Sequence, residues 1–316
     1  MAAPAVTLDT ATADLSRRSI GFWSDSLHRI RHDPVTLAAL AVLVAMVVLA
    51  ASADLLAQHV FRYTLTQQDL LRTWEKPTLD EPAYWLGGDN LGRSQIVRAL
   101  YGARISLFIG VFGAIVSMGV GVVLGLTAGY FRGWWDDVVV WLVTTLSNIP
   151  ILFLLIMIGL YFRLDALSLS ILIGLLGWLG IANFARGQTI ALRDREYVQA
   201  ARSVGASAPR IMLRHIFPNI VPLMIVLAMV DVGGIILAES ALSFLGFGVQ
   251  PPTPSWGNML SGATAFYYKG PHLIVVPGVL ITLTVLCLYL VGDGLRDAFD
   301  PRLRGSIGQS RGGGST

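Results

Sequence analysis

The sequence predicts an all-α integral membrane protein of about six transmembrane helices, and three observations carry that prediction. First, 54% of the 316 residues are apolar and only 14% are charged, where soluble domains run near 25% charged. Mean hydropathy is +0.64. Second, six segments each supply the roughly 20 mainly apolar residues needed to cross about 30 Å of hydrocarbon. Third, the 23 basic residues are spread unevenly between the loops, as bilayer topology demands.

The spans lie near 35–57, 104–130, 138–161, 168–185, 219–245 and 273–292. Residues 1–34 form a mixed polar segment carrying Arg17, Arg18, Arg29 and Arg31. The first span is too long for the apolar part of a secretory signal, and no cleavage site follows it, so it reads as a retained anchor. Residues 58–103 form a long outer loop. Residues 104–295 hold the other five spans and a polar loop at 186–218, and 296–316 form a tail. The ends, 1–15 and 305–316, are small, polar and Gly/Ser-rich, and read as disordered.

If the N-terminus lies inside, fifteen of the 23 basic residues fall inside, six of them in the 186–218 loop. Both termini are therefore expected in the cytoplasm. This distribution also accounts for the pI near 9.2 without nucleic acid. The single cysteine, Cys287, forms no intrachain disulfide.

Several chemistries are excluded by absence. A P-loop needs a lysine after its glycines, and the only lysines, Lys76 and Lys269, precede a proline and a glycine. The chain is therefore expected to bind no nucleotide and to be no enzyme. The histidines, at 28, 32, 59, 215 and 272, all fall outside the predicted spans. They and the cysteine show no metal-ligand spacing, so no metal site is expected.

The second span carries Gly113, Ser117, Gly121, Gly125 and Gly129 at every fourth position. Small residues at that spacing form one helix face and admit a neighbouring backbone. Gly174, Gly177 and Gly180 repeat the theme in the fourth span. Two ionisable residues sit inside the fifth span, Asp231 and Glu239, about two turns apart and roughly on one face. They read either as a transport pathway or as a polar seam between helices.

The 186–218 loop carries most of the information. Asp194 can cap a helix starting at Arg195. Tyr197, Ala200, Ala201 and Val204 then fall at i, i+3, i+4 and i+7, an apolar stripe. Gly205 suits a left-handed helix end. Ser207 can cap a second short helix with Pro209 in its first turn, and Pro218 breaks the chain before the fifth span. The expected result is a helix–Gly–helix elbow at 195–217. Its stripe suits either a partner's groove or the headgroup layer of the membrane.

This loop resembles the Glu-Ala-Ala loop of binding-protein-dependent ABC permeases. That pattern is Glu-Ala-Ala, three residues, Gly, nine residues, then Ile-x-Leu-Pro. Here it reads Gln199-Ala200-Ala201, Gly205, then His215-Ile216-Phe217-Pro218. Gln199, His215 and Phe217 depart from it, and Gln199 removes the charge of the family glutamate. Three further stretches resemble dipeptide, oligopeptide and nickel permeases of the C-subunit type. They are YWLGGDNLGRSQIVRALYGARISL (84–107), ILAESALSFLGFGVQPPTPSWGNML (236–260) and VGDGLRDAFDPRLRG (291–305). The likeness thus extends from about 84 to 304. Within it, Leu86–Arg93 also reads as an outer turn with a helix cap, and 251–257 as a proline-set loop.

The resemblance implies a multi-pass permease of a prokaryotic plasma membrane that forms half of a translocation path. It implies a homologous B-type permease partner, two ATP-binding ABC subunits and an extracytoplasmic solute-binding protein. ATP and Mg would be bound by the ATPase subunits and no cofactor by this chain. Peptides are the expected substrate, with a nickel chelate or another small solute as the alternative. The elbow would be the coupling helix, with Glu196, Tyr197, Gln199, Ala200, Ala201, Val204, Gly205, Ala206 and Arg210 at the ATPase contact. Two rivals stand apart from the resemblance: an ion-coupled carrier using Asp231 and Glu239, and a membrane scaffold.

Overall fold

The computed structural model describes residues 22–261 and 263–299. The two ends expected to be disordered, Arg17, Arg18, Arg302, Arg304 and Arg311, and residues 300–305 of the C-terminal signature lie outside the described residues. Every named element among the described residues is helical.

A short helix, α1 (Phe22–Ile30), precedes the first span, α2 (Pro34–Ala51). Asp33 starts α2 by accepting a hydrogen bond from Val35 N at 3.1 Å. Beyond Ser52 the chain stays helical through Phe61, its last part a wide π turn, and ends on Arg62 in left-handed geometry. The second span, α3 (Gln95–Phe131), has 37 residues. At about 1.5 Å per residue it is roughly 55 Å long, so it projects well beyond the hydrocarbon. Its polar first turns lie ahead of the apolar run at 104. Ser94 Oγ, accepting from Val97 N at 3.3 Å, sets the true start.

The third predicted span, 138–161, is not one helix. It is a bent pair, α4 (Trp134–Ser147) and α5 (Ile151–Tyr161), meeting at 78°. Pro150 has no N–H to continue the ladder and pushes the residue before it out of helical geometry. Asn148 instead bonds back to Thr144 O at 2.6 Å. Among the described residues, five helices are long and apolar enough to cross a membrane, or six with the bent pair taken as one span.

The fourth span, α6 (Ala166–Arg193), opens on a reciprocal capping box between Asp165 and Ser168. The elbow follows as α7 (Glu196–Ser203) and α8 (Ala208–Ile211). The fifth span, α9 (Phe217–Phe244), is not separated from the elbow by Pro218. The chain continues helically from α8 through a π turn at Met212–Ile216. Pro218 falls in the first turn of α9, where a missing N–H costs least, and Asn219 Nδ2 caps His215 O at 2.6 Å. A short α10 (Trp256–Ser261) and the sixth span, α11 (His272–Phe299), complete the chain.

Close approach of α3 and α6 organises the bundle. A Cβ added at Gly125 would lie 2.3 Å from Ala182 O, and one at Gly129 2.7 Å from Arg186 O. At Gly121 it would meet Ile181 at 2.8 Å, and at Gly113 Ser170 O at 3.2 Å. Gly174 returns the fit against Gly113 O at 2.5 Å, whereas Gly180 has nothing within 4 Å. Ser117 is fully buried in the same stripe.

Spans adjacent in the chain alternate in direction, so α3 and α6 run parallel, with Gly113, Gly121 and Gly129 meeting Ser170, Ile181 and Arg186 in the same order, and the bundle has two distinct ends. Arg104, near the start of α3, bonds Ala50 O at the end of α2. The elbow packs on Leu126 and Tyr130, at the far end of α3. Thr36, at the start of α2, touches the last turns of α11 at Gly294. Both ends of the described chain therefore lie at the elbow end.

Candidate functional site

The elbow is built outward from one buried residue. Val198 is fully buried among Leu126, Tyr130, Ile181, Ala185, Ile211, Met212, Ile216 and Ile220. Burying such a side chain is worth about 1.5–3 kcal/mol, which is the main anchor of α7. Arg202 adds a contact over the Tyr130 ring at 5.7 Å, and Arg193 Nη1 donates to Tyr130 O at 2.8 Å. Arg186 forks onto Asp136 at 2.5 and 2.7 Å, tying α6 to α4.

The predicted apolar stripe faces away from this anchor. Val204 is 84% exposed, Tyr197 is exposed, and so is Ala200, while Ala201 is half-buried. Glu196, Gln199, Gly205 and Arg210 are exposed, and Ala206 is half-buried. These residues form one outward surface at one end of the bundle. Val198, the residue that orients it, sits off the stripe.

Both ends of α7 differ in detail from expectation or follow from it. Asp194 does not cap the helix. Its carboxylate meets Arg132 Nη2 at 3.4 Å and Arg193 Nε at 3.7 Å. Arg195 holds the cap position, its carbonyl accepting from Val198 N and Gln199 N, both at 3.0 Å. The neighbouring arginines draw Asp194 away, and Glu196 supplies the negative charge that a helix start favours. At the other end Gly205 has φ +81°. Ala206 N bonds Ala201 O at 3.1 Å and Gly205 N bonds Arg202 O at 3.0 Å. That pair is the Schellman closure, which requires left-handed geometry at the glycine. Ser207 has the extended backbone of a cap without a side-chain bond.

Asp231 and Glu239 have different surroundings. Glu239 is fully buried in a seam between α3 and α9. It accepts from Ser243 Oγ at 2.7 Å, Ser106 Oγ at 3.3 Å and Ser240 Oγ at 3.4 Å. Ser106 Oγ in turn accepts from Trp256 N, and Ser243 Oγ from Val249 N, both at 3.1 Å. Glu239 is thus the hub of a polar network joining α3, α9 and α10. Asp231 is half-buried, and its Oδ2 has no hydrogen-bond partner among the described residues. Glu239→Gln, which keeps both size and polar capacity, is expected to leave the protein folded. Glu239→Ala leaves a cavity and three hydroxyls without their acceptor, and is expected to cost about 2–4 kcal/mol. Thermal melting of the purified protein distinguishes the two.

The end opposite the elbow holds a second polar cluster. The hydroxyls of Tyr63 and Tyr84 both lie 2.9 Å from Gly92 O. Burial and the adjoining Tyr63 hydroxyl push the Tyr84 phenol above its ordinary range. Asp89 accepts from Leu91 N at 2.8 Å, Arg93 N at 2.9 Å and Arg93 Nε at 2.7 Å. Arg98 Nε stands 3.5 Å from the same carboxylate. The LG-D-N-LGR motif is therefore an ion-paired turn feeding the Ser94 cap.

Comparison with known proteins places these features in a family context. Residues 121–305 match the family described as binding-protein-dependent transport system inner membrane component. Residues 21–77 match the N-terminal TM domain of oligopeptide transport permease C. The chain is 36% identical to the oligopeptide transport system permease protein OppC of Haemophilus influenzae, over 89% of each chain. It is 34% identical to the dipeptide transport system permease protein DppC of Bacillus subtilis, over 92% of this chain and 89% of that one. It is 36% identical to the glutathione transport system permease protein GsiD of Escherichia coli, over 90% and 91%. Its fold is similar to a chain of the MetNI methionine ABC transporter in an inward-facing conformation. There the TM-score is 0.53 and the identity 16%, over 70% of this chain and 99% of that one.

Proposed function

The chain belongs to the family of binding-protein-dependent transport system inner membrane components, as a permease of the oligopeptide permease C type, and from that premise we propose that it forms half of the path of an ATP-driven peptide importer. It is a multi-pass protein of the bacterial inner membrane. In this reading a homologous B-type permease supplies the other half of the path, and two ATPase subunits bind ATP and Mg. An external binding protein delivers the substrate. The elbow end faces the cytoplasm.

One observation carries the coupling role. The elbow is rigidly mounted through Val198 and the Gly205 closure, yet its Tyr197–Ala200–Val204 face is left outward. Exposed apolar surface of this kind marks an interaction site, and small residues let a partner's groove approach closely. Because α8 runs helically into α9, displacement of the elbow tilts the fifth span directly. Movement of the ATPase clefts would thereby alternate access, with the bias supplied by different contacts in the two states.

Peptide is the substrate class that the relatives favour. Proteoliposomes holding the complete transporter are expected to import labelled di- or oligopeptide only with ATP on the elbow side and binding protein on the other. Collapse of ion gradients should leave uptake unchanged. Uptake driven by an ion gradient without the ATPases would contradict this reading and turn attention to Asp231.

A further inference from the structure

Gln95 and Arg98 stand one turn apart at the start of α3, at the end of the bundle opposite the elbow. They are 2% and 9% exposed. Both line a cavity of about 290 Å³, walled further by Asp89, Arg93, Gln250 and Asn258. Among the described residues the Gln95 side-chain amide has no hydrogen-bond partner, and Arg98 has only Asp89 beside its Nε. Neither side chain is among the fully enclosed, unpartnered polar atoms of the described residues, so their free atoms open on the cavity.

Asp89 cannot satisfy Arg98 alone. Its carboxylate already accepts two backbone N–H groups and Arg93 Nε. Two guanidinium groups against one carboxylate leave one net positive charge. A buried guanidinium with idle donors is costly unless an acceptor completes it. A carboxylate matches its fork with two parallel hydrogen bonds. The neighbouring Gln95 can both donate and accept, which suits the amide group that precedes a peptide's terminal carboxylate.

We propose that this cavity is a carboxylate-binding station, in which Arg98 holds the C-terminal carboxylate of the peptide in transit and Gln95 bonds its last amide. The inference rests on the peptide-import reading above. The cavity's size, near the lower end of small-ligand pockets, and the depth of Gln95 favour a peptide end over a protein loop. An acidic side chain of the binding protein would present the same chemistry from a different source.

The test uses the complete transporter in proteoliposomes, the same tripeptide as free acid and as C-terminal amide, and the variant Arg98→Gln. Asp89 keeps Arg93 and its backbone donors, so the turn stays anchored. The acid-to-amide uptake ratio is compared between wild type and variant, which cancels any preference of the shared binding protein. Wild type should exceed the variant in that ratio by at least about tenfold. Arg98→Lys, which keeps the charge but not the two-pronged fork, should lower the ratio by less and serves if Arg98→Gln fails to assemble. An equal ratio in wild type and variant overturns the proposal. Equal loss of both substrates together with loss of binding-protein-stimulated ATP hydrolysis overturns it in favour of protein docking. Wild-type vesicles that import neither tripeptide overturn the peptide reading, and this inference with it.

Discussion

Gly125→Val is expected to destabilise the folded chain by about 3 kcal/mol or more and to deplete it from the membrane. The added Cβ would lie 2.3 Å from Ala182 O, 2.8 Å from the Ala185 Cβ and 2.9 Å from Arg186 N. Two of these neighbours are backbone atoms of α6, which cannot swing aside as a side-chain end does. The helices must separate, and the clusters around Val139, Trp178 and Ala182 on one side and Leu126, Ile181 and Ala185 on the other lose packing. Overpacking costs about 1–3 kcal/mol where side chains give way, so a backbone clash belongs at or above the top of that range. Gly180→Val on α6 provides the control, because nothing lies within 4 Å of its added Cβ. Melting temperature and membrane level should fall for the first variant and hold for the second. Equal behaviour of both would contradict the close α3–α6 approach.

Gly205→Val is expected to leave the bundle folded and inserted but to lower ATP-driven uptake by about tenfold or more. Space is not the obstacle, since nothing lies within 4 Å of an added Cβ. The obstacle is φ +81°. A β-branched residue resists left-handed geometry, at a cost of about 1–2 kcal/mol, and each 1.4 kcal/mol shifts a population about tenfold. The Ala206–Ala201 and Gly205–Arg202 bonds then open, and α7 loses its fixed angle to α8. Gly205→Asn, which tolerates the left-handed region, should restore most of the uptake. ATP hydrolysis that persists in the valine variant without matching uptake would be the sign of a loosened lever. Normal uptake would remove the lever from the account.

Hydropathy made the spans legible because the bilayer imposes a long apolar run on every crossing helix. It left their ends indistinct, since the polar turns at Gln95 and beyond Ala185 continue the same hydrogen-bond ladder. The bend at Pro150 was signalled by Asn148 and Pro150 themselves, but apolar flanks on both sides let one continuous span pass for a straight helix. The elbow was legible from Gly205 and the i, i+3, i+4, i+7 stripe. Which apolar face holds the elbow and which is left outward was not. Val198 and Tyr197 are both apolar neighbours on a short helix, and only the surrounding bundle decides which is buried. Asp231 and Glu239 shared a face in sequence, yet Ser106, Ser240 and Ser243 gather around Glu239, while Ser117 stands beside Asp231. Arg98 and Gln95 carried no periodic signal. Their isolation depends on Asp89 being occupied by groups from its own turn.

The central claim, that the elbow seats in an ATPase subunit, is most directly tested by cross-linking. The chain has one cysteine, and Cys287 is buried, so Cys287→Ala provides a clean background for Ala200→Cys. With matched cysteines along the ATPase cleft, a bifunctional reagent should join the two chains in the assembled transporter. The yield should change when ATP and vanadate trap the closed ATPase dimer. A cysteine at 200 that never joins an ATPase subunit, and that lipid-phase reagents label instead, would contradict the account and place the elbow in the headgroup layer.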